Sequence, residues 1–456
     1  MSSIAEVYEK QRNFFYSGKS KDIAFRKENL KKFRSAIIRY ESKMKEALRL
    51  DLGKSPTESY ETEIGIVLSE LNYTLRHFEK WAKKKRVHTP LLHFPSKSYI
   101  ITEPLGNSLI MSPWNYPVQL TLVPLIGAIS SGCTAVVKPS RYSGETSLVL
   151  KEMIDEIFDE EYIALFLGGR DVNTELLSYK WDYIFFTGSV DVGRIVAEKA
   201  AKDLTKTTLE LGGKSPVIID ESADLKRTTT RLAFAKFINA GQTCVAPDYF
   251  FVHKTKSKEF LSLMVKAIEK AYGVDQIGND EFGKIINHHH YQRLCSLIEG
   301  SPVYYGALKD ENRNKISATI LFPVKEDEPV MQEEIFGPVM AVMEYEDLDD
   351  VISFIRNRPH PLALYIFSEN RKNIERIHSS LIFGGGCVND AIMHLVSHTL
   401  PFGGVGDSGL GSYHGKRTFM DFSHEKGMLD HATWLDITLR SAPFGRKEKI
   451  IKTMLH

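Results

Sequence analysis

The sequence has little sulfur that could be paired. Its four cysteines, Cys133, Cys244, Cys295 and Cys387, are scattered over 456 residues without the spacing of a disulfide framework or a metal site. That usage predicts a reducing compartment and no bound metal. Net charge is also nearly absent, since 59 basic and 58 acidic residues leave +1. No bulk field draws the chain to nucleic acid or to an anionic surface. Long apolar runs are missing too. The most apolar stretch, "SLIMSPWNYPVQLTLVPLIGAIS", is broken by Pro113, Asn115, Pro117 and Pro124. It reads as a buried strand entering a helix, which excludes an integral membrane segment there. The opening "MSSIAEVYEKQRNFFYSGKSKD" scatters charges where a signal peptide needs continuous apolar residues, so the expected location is the cytoplasm. Repeats and low-complexity linkers are absent.

What is present reads as two or three globular units, because 456 residues exceed one ordinary core. The first eighty residues carry helical spacing, as in "ENLKKFRSAIIRYESKMKEALRLDLG", which stops at a glycine. From Ser108 onward short apolar runs alternate with helical segments: "NSLIMS", "TAVVKPS", "YIALFLGG" and "WDYIFFTGS" are strand-like. A second series begins at "SPVIID" and resumes at "YFFVHKTKSKEFLSLMVKAIEKAYG". Such alternation predicts an α/β fold of parallel sheets with crossover helices. The "HHH" at His288–His290 cannot converge on one ion, because neighbours on a helix point about 100° apart; it reads as a surface helix.

Several positions carry chemistry, each with a plainer alternative. In "INAGQTCVAPD", Cys244 follows what reads as a flexible polar turn, with Gly241 leaving room for another molecule near the backbone. It is either a nucleophile or a core cysteine in a tight turn. In "FFTGSVDVG", Gly188 and Ser189 lead from an apolar strand into a helix containing Gly193. That is a phosphate cradle or an ordinary strand–helix turn. Lys138 of "VVKPS" ends a strand, where nucleotides bind in open sheets, or is a surface lysine. Glu210 of "LELGGKSP", between two leucines, is a general base of raised pKa or an acid on a strand edge. Asn115 of "SPWNYP" is held by flanking prolines as an oxyanion donor or as part of a rigid aromatic loop.

Taken in order with "GQTCVAPD", "EEIFGP" and "PFGGVGDSG", these motifs resemble the aldehyde dehydrogenase family from the N-terminal helices to about Lys426. "RPHPLALYIFS", "GGCVNDAIMH" and "GSYHGK" look like its class three branch, which handles fatty and aromatic aldehydes. The resemblance implies two Rossmann-like α/β domains. Residues 1–85 and 105–209 would bind NAD or NADP, and 210–399 would carry the nucleophile. Residues 86–104 with 400–422 would form an oligomerisation arm, leaving 423–456 as a C-terminal tail whose short basic end is expected to be solvated or packed on a subunit rather than attached to a membrane through Ile450, Ile451 and Met454. It further implies Cys244 as nucleophile, Glu210 as deacylation base, and Asn115 with the Cys244 N–H as oxyanion donors. Trp114, Lys138, Ser140, Arg141, Gly188, Ser189, Gly193, Leu211, Gly212, Glu334 and Phe336 would contact the cofactor. Tyr116, with residues near Met393 and His394, would line the substrate funnel. The partners implied are a small aldehyde and a second copy in a homodimer. Arg141 stands where the family often has glutamate, which implies that NADP is accepted alongside NAD. The competing readings are a coenzyme A-acylating dehydrogenase, a cofactor-free esterase, and a non-catalytic protein of the same fold.

Overall fold

Local signals start the N-terminal helices where the periodicity does. Asp22 accepts the Phe25 N–H to cap Ile23–Leu52, and Gly53 closes that helix in a left-handed conformation. Leu30, Phe33, Ile37, Met44, Leu48 and Leu52 share its buried face. The computed structural model describes residues 2–435, 441–445 and 447–455.

Two sheets form the frame. The first has six strands in the order Gly409–Leu410, Lys206–Leu211, Tyr183–Gly188, Asn107–Met111, Thr134–Lys138 and Ile163–Leu165. All its pairings are parallel except that of Gly409–Leu410. Strand order reverses between Asn107–Met111 and Tyr183–Gly188, so the crevice beyond their carboxyl ends is the switch point at which such sheets bind ligands. The second sheet has seven strands in the order Val303–Tyr305, Thr319–Leu321, Val339–Tyr345, Pro247–His253, Ser215–Ile219, Ala363–Phe367 and Gly385–Val388. Here only the Val303–Tyr305 edge is antiparallel. Fully buried strands such as Leu109–Ile110, Val217–Ile219 and Ala363–Phe367 are what parallel sheets covered on both faces require.

A third, antiparallel sheet joins Lys85–Val87, Lys97–Pro104 and Ser423–Asp430. Its last strand lies within the segment expected to be tail, and 400–422, expected in the arm, lies elsewhere. That glycine-rich segment folds back on Lys206–Leu211 through Gly409–Leu410 and places Phe402 and Tyr413 beside the crevice. The first unit also runs on through Leu211, because strand pairing with Tyr183–Gly188 continues to that residue. The terminal helix Glu448–Leu455 leaves Ile450 exposed; Arg446, His456 and the side chain of Met454 lie outside the described residues. Among the described residues no helix is long and apolar enough to cross a membrane.

Candidate active site

Cys244 lies between the two large sheets, on the loop entering strand Pro247–His253. The turn before it is rigid, in contrast to the flexible turn that its small polar residues suggest. Asn239, Ala240 and Gly241 are all left-handed, with φ of 52°, 50° and 74°. A Cβ on Gly241 would stand 2.2 Å from Gly337 O, so the close neighbour is the protein's own backbone. Gln242, fully buried, donates to Asn239 O and Lys284 O and accepts from the Ile286 N–H at 2.9–3.0 Å. Tyr365 Oη donates to Val245 O at 2.6 Å. These bonds fix both sides of the cysteine.

The thiol is half-buried and free, and it borders two cavities. One, of about 600 Å³, is walled by Trp114, Asn115, Gly188, Ser189, Glu210, Leu211, Gly212, Glu334 and Phe336. The other, of about 170 Å³, is mostly apolar and is lined by Tyr116, Phe234, Ile238, Ile392, Met393, Leu395 and Val396. Met393 lines this cavity, while His394 is buried behind it, against Phe402.

Burial dominates the electrostatics. It pushes the Cys244 thiol up to about 12, aided by the carboxylates of Glu334 and Glu210, so the resting sulfur holds its proton. Glu210 is itself buried, and neither carboxyl oxygen has a hydrogen-bond partner among the described residues. Desolvation, then Asp421, raises its pKa well above the carboxylate range. Asn115 Nδ2 donates to Gln242 O at 3.1 Å, which leaves its second N–H for another acceptor. The Cys244 and Val245 N–H groups face the sulfur.

On the first sheet, Ser189 precedes helix Val190–Lys202 without making a side-chain cap, so the first-turn N–H groups stay open to an anion. Beside it Thr187 Oγ1 is buried and unpartnered among the described residues. Gly193 faces away from this cradle: a Cβ there would stand 2.4 Å from Leu211 Cδ2, so the glycine allows the helix to sit close on the strand. A Cβ on Gly212 would lie 2.1 Å from Glu334 Oε2, and burial lifts the Glu334 pKa to about 8. Phe336, at φ 49°, meets Trp114 edge-on at 5.3 Å. Lys138 and Arg141 sit beyond Asn107–Met111, at the end of Thr134–Lys138 and outside the main cavity. Lys138 Nζ donates to Gly168 O at 3.3 Å, and burial with Arg141 nearby lowers its pKa to about 8. The exposed Arg141 reaches toward Gly169, where a Cβ would stand 3.1 Å from its Nη1. Ser140 Oγ accepts the Tyr142 N–H at 3.2 Å. An open helix N-terminus, an orphaned hydroxyl, a glycine-backed carboxylate and a paired lysine and arginine fit a dinucleotide.

His290, expected with its neighbours on a surface helix, turns inward: it lies in the first turn of helix His288–Glu299 and packs its ring 5.2 Å from Trp114, lining the larger cavity, while His288 and His289 face solvent. Burial lowers its pKa to about 4, so it stays neutral. A three-histidine run hides which member turns inward. Arg293, one turn later on the same cavity wall, offered the i+3 signal.

A doubly wound sheet with a phosphate-type cradle, facing a cysteine on a second α/β unit, is the architecture of a nucleotide-dependent oxidoreductase. The family model described as "Aldehyde dehydrogenase family" matches residues 2–428. The 4,4'-diaponeurosporen-aldehyde dehydrogenase of Staphylococcus aureus is 45% identical over 99% of each chain. The "Aldehyde dehydrogenase, dimeric NADP-preferring" of Rattus norvegicus is 41% identical over 94% of this chain and 95% of its own. A solved structure titled "Substrate bound state of Staphylococcus Aureus AldH" superposes with a TM-score of 0.99 at 44% identity, covering 100% of both chains. The chain belongs to the aldehyde dehydrogenase family, in its class three branch, and is an NAD(P)-dependent enzyme that oxidises aldehydes.

Proposed function

We propose that the enzyme converts medium- or long-chain aliphatic or aromatic aldehydes to carboxylic acids, with Cys244 as nucleophile and Glu210 as base. The observation that carries this reading is the position of Cys244 on the border of a polar-lined cavity and an apolar funnel. An apolar chain entering past Ile392, Met393 and Val396 brings its carbonyl carbon to the sulfur. The thiol gives up its proton to solvent in the crevice as sulfur bonds that carbon. The carbonyl electron pair moves to oxygen, where the Asn115 amide and the Cys244 N–H stabilise it. Bound NAD or NADP supplies the acceptor for the hydride that then leaves the tetrahedral carbon. Glu210 next removes a proton from water as the water oxygen bonds the thioester carbon. The carbon–sulfur bond breaks with its electron pair going to sulfur, which takes the proton from Glu210 as the acid departs.

Lys138, with Arg141 beside it, is placed to hold the adenosine ribose, the turn at Ser189 the pyrophosphate, and Glu334 the nicotinamide ribose. Trp114 and Phe336 are placed to flank the ring. Both NAD and NADP fit, Arg141 favouring the latter's extra phosphate. The antiparallel sheet exposes Met428 and Leu429 on its outer strand, which supports pairing with a second copy as a homodimer. Four free cysteines support a cytoplasmic location.

Absorbance of reduced nicotinamide across a panel of aldehydes tests the substrate class. Ranking by kcat/KM should put apolar chains and aromatic rings above small polar aldehydes. Preference for the small polar members would overturn it.

A further inference from the structure

Lys54 and Glu63 carry charge into the interior. Both side chains are fully buried, with Nζ 2.6 Å from Oε1. Desolvating two ions offsets most or all of their attraction, so such a pair is a weak source of stability. Its surroundings suggest another role. Lys54 Nζ also donates to Asn115 O at 3.2 Å and stands 3.9 Å over the Tyr116 ring. The second oxygen of Glu63 accepts the N–H groups of Val118 and Gln119 at 2.8 and 3.1 Å. The pair therefore holds the 115–119 chain at both ends.

The same chain is tied to the nucleophile turn. Asn239 Nδ2 donates to Asn115 O at 2.8 Å and to Gln242 O at 3.1 Å, and Asn115 Nδ2 donates to that same Gln242 O. Glu58, from the segment that carries Lys54 and Glu63, accepts the Asn239 N–H at 2.7 Å. This segment contains a π-helical turn at Tyr60–Ile64, an irregularity that is common near functional sites.

We propose that Lys54 and Glu63 are positioning residues for Asn115, holding its carboxamide where it meets the oxygen of an intermediate on Cys244. The proposal rests on the reading of Asn115 and Cys244 given above. Lys54 is the cationic partner of the Asn115 carbonyl. Without it Asn239 is the one donor to that group among the described residues, and small displacements of a donor cost much of its effect on a developing charge.

Two reactions of Cys244, run without dinucleotide, test it. Alkylation by iodoacetamide displaces iodide at saturated carbon and needs no oxyanion donor. Acylation by p-nitrophenyl acetate passes through a tetrahedral oxyanion. In Lys54→Met the acylation burst should fall roughly 10- to 100-fold, with alkylation within about twofold of wild type. The neutral pair K54M/E63Q, which avoids an unpaired buried charge, should behave alike and carries the test if Lys54→Met does not fold. Adding Lys54→Met to Asn115→Ala should cost little more than Asn115→Ala alone, because both act through one group. Equal losses in the two reactions, or additive losses with Asn115→Ala, would overturn the positioning role. Wild-type acylation in Asn115→Ala would overturn the reading of Asn115 itself.

Discussion

Tyr116 Oη and Thr243 Oγ1 lie 2.6 Å apart, in a hydrogen bond spanning 127 residues of chain. It joins the loop beyond the first sheet to the residue before the nucleophile, and both groups are buried. Tyr116→Phe should leave the Thr243 hydroxyl unpaired and cost about 1–3 kcal/mol of stability. Adding Thr243→Val removes the orphan, so the double variant should recover part of the loss. Thermal or denaturant unfolding of the three variants checks this; a double variant weaker than the sum of both singles would argue against it.

Gly241→Ala should do more harm than its size suggests. The position is left-handed, and a Cβ would meet Gly337 O at 2.2 Å. Left-handed backbone alone costs a side chain about 1–2 kcal/mol, and the clash shifts the turn that carries Cys244. Activity should drop together with iodoacetamide labelling of Cys244. Labelling at the wild-type rate would show that the turn absorbs the methyl group.

The framework was legible because its signals are local. "NSLIMS", "TAVVKPS" and "WDYIFFTGS" became the parallel strands expected of them, and Gly188–Ser189 became a strand-to-helix turn. What escaped depends on pairing across long stretches of chain. Ser423–Asp430 bonds to Lys97–Pro104 more than three hundred residues away, and nothing in "SHEKGMLD" announces a partner. Segment 400–422 is an arm only by family resemblance; its glycines instead allow close backbone packing, as where a Cβ on Gly404 would stand 2.0 Å from Ser408 O. Lys54 and Glu63 carry no signal in the sequence, since burial of an ion pair leaves no trace in composition. Of the nucleotide contacts expected from motif, Gly193 belongs to packing, a distinction that spacing cannot draw.

Arg141→Glu should lower the ratio of NADP to NAD efficiency. Arg141 and Lys138 share the edge near Gly168 and Gly169. A charge-assisted hydrogen bond contributes roughly 1.5–3 kcal/mol, or about 10- to 100-fold in preference. The measurement is kcat/KM for both cofactors in wild type and variant. An unchanged ratio would mean that Arg141 does not read the phosphate.

Dinucleotide affinity should weaken on the alkaline side. Desolvation places the Lys138 pKa at about 8, below its ordinary value of 10.5, so the cation is present at neutral pH and is lost as pH rises through 8. Binding measured by quenching of Trp114 fluorescence should weaken several-fold between pH 7 and pH 9, more for NADP than for NAD. Lys138→Met should bind weakly with little such dependence; an equal slope in the variant would assign the titration to another group.

The most direct test of the chemistry is intact-protein and peptide mass spectrometry of Glu210→Gln after mixing with aldehyde and NAD. Glu210 is buried without a hydrogen-bond partner among the described residues, beside the cavity that Cys244 borders, and removal of a general base slows its step by about 10²–10⁴-fold. The variant should accumulate an acyl group on the Cys244 peptide while turnover falls. Wild-type turnover with no adduct, or an adduct on Cys133, Cys295 or Cys387, would contradict the roles assigned to Glu210 and Cys244.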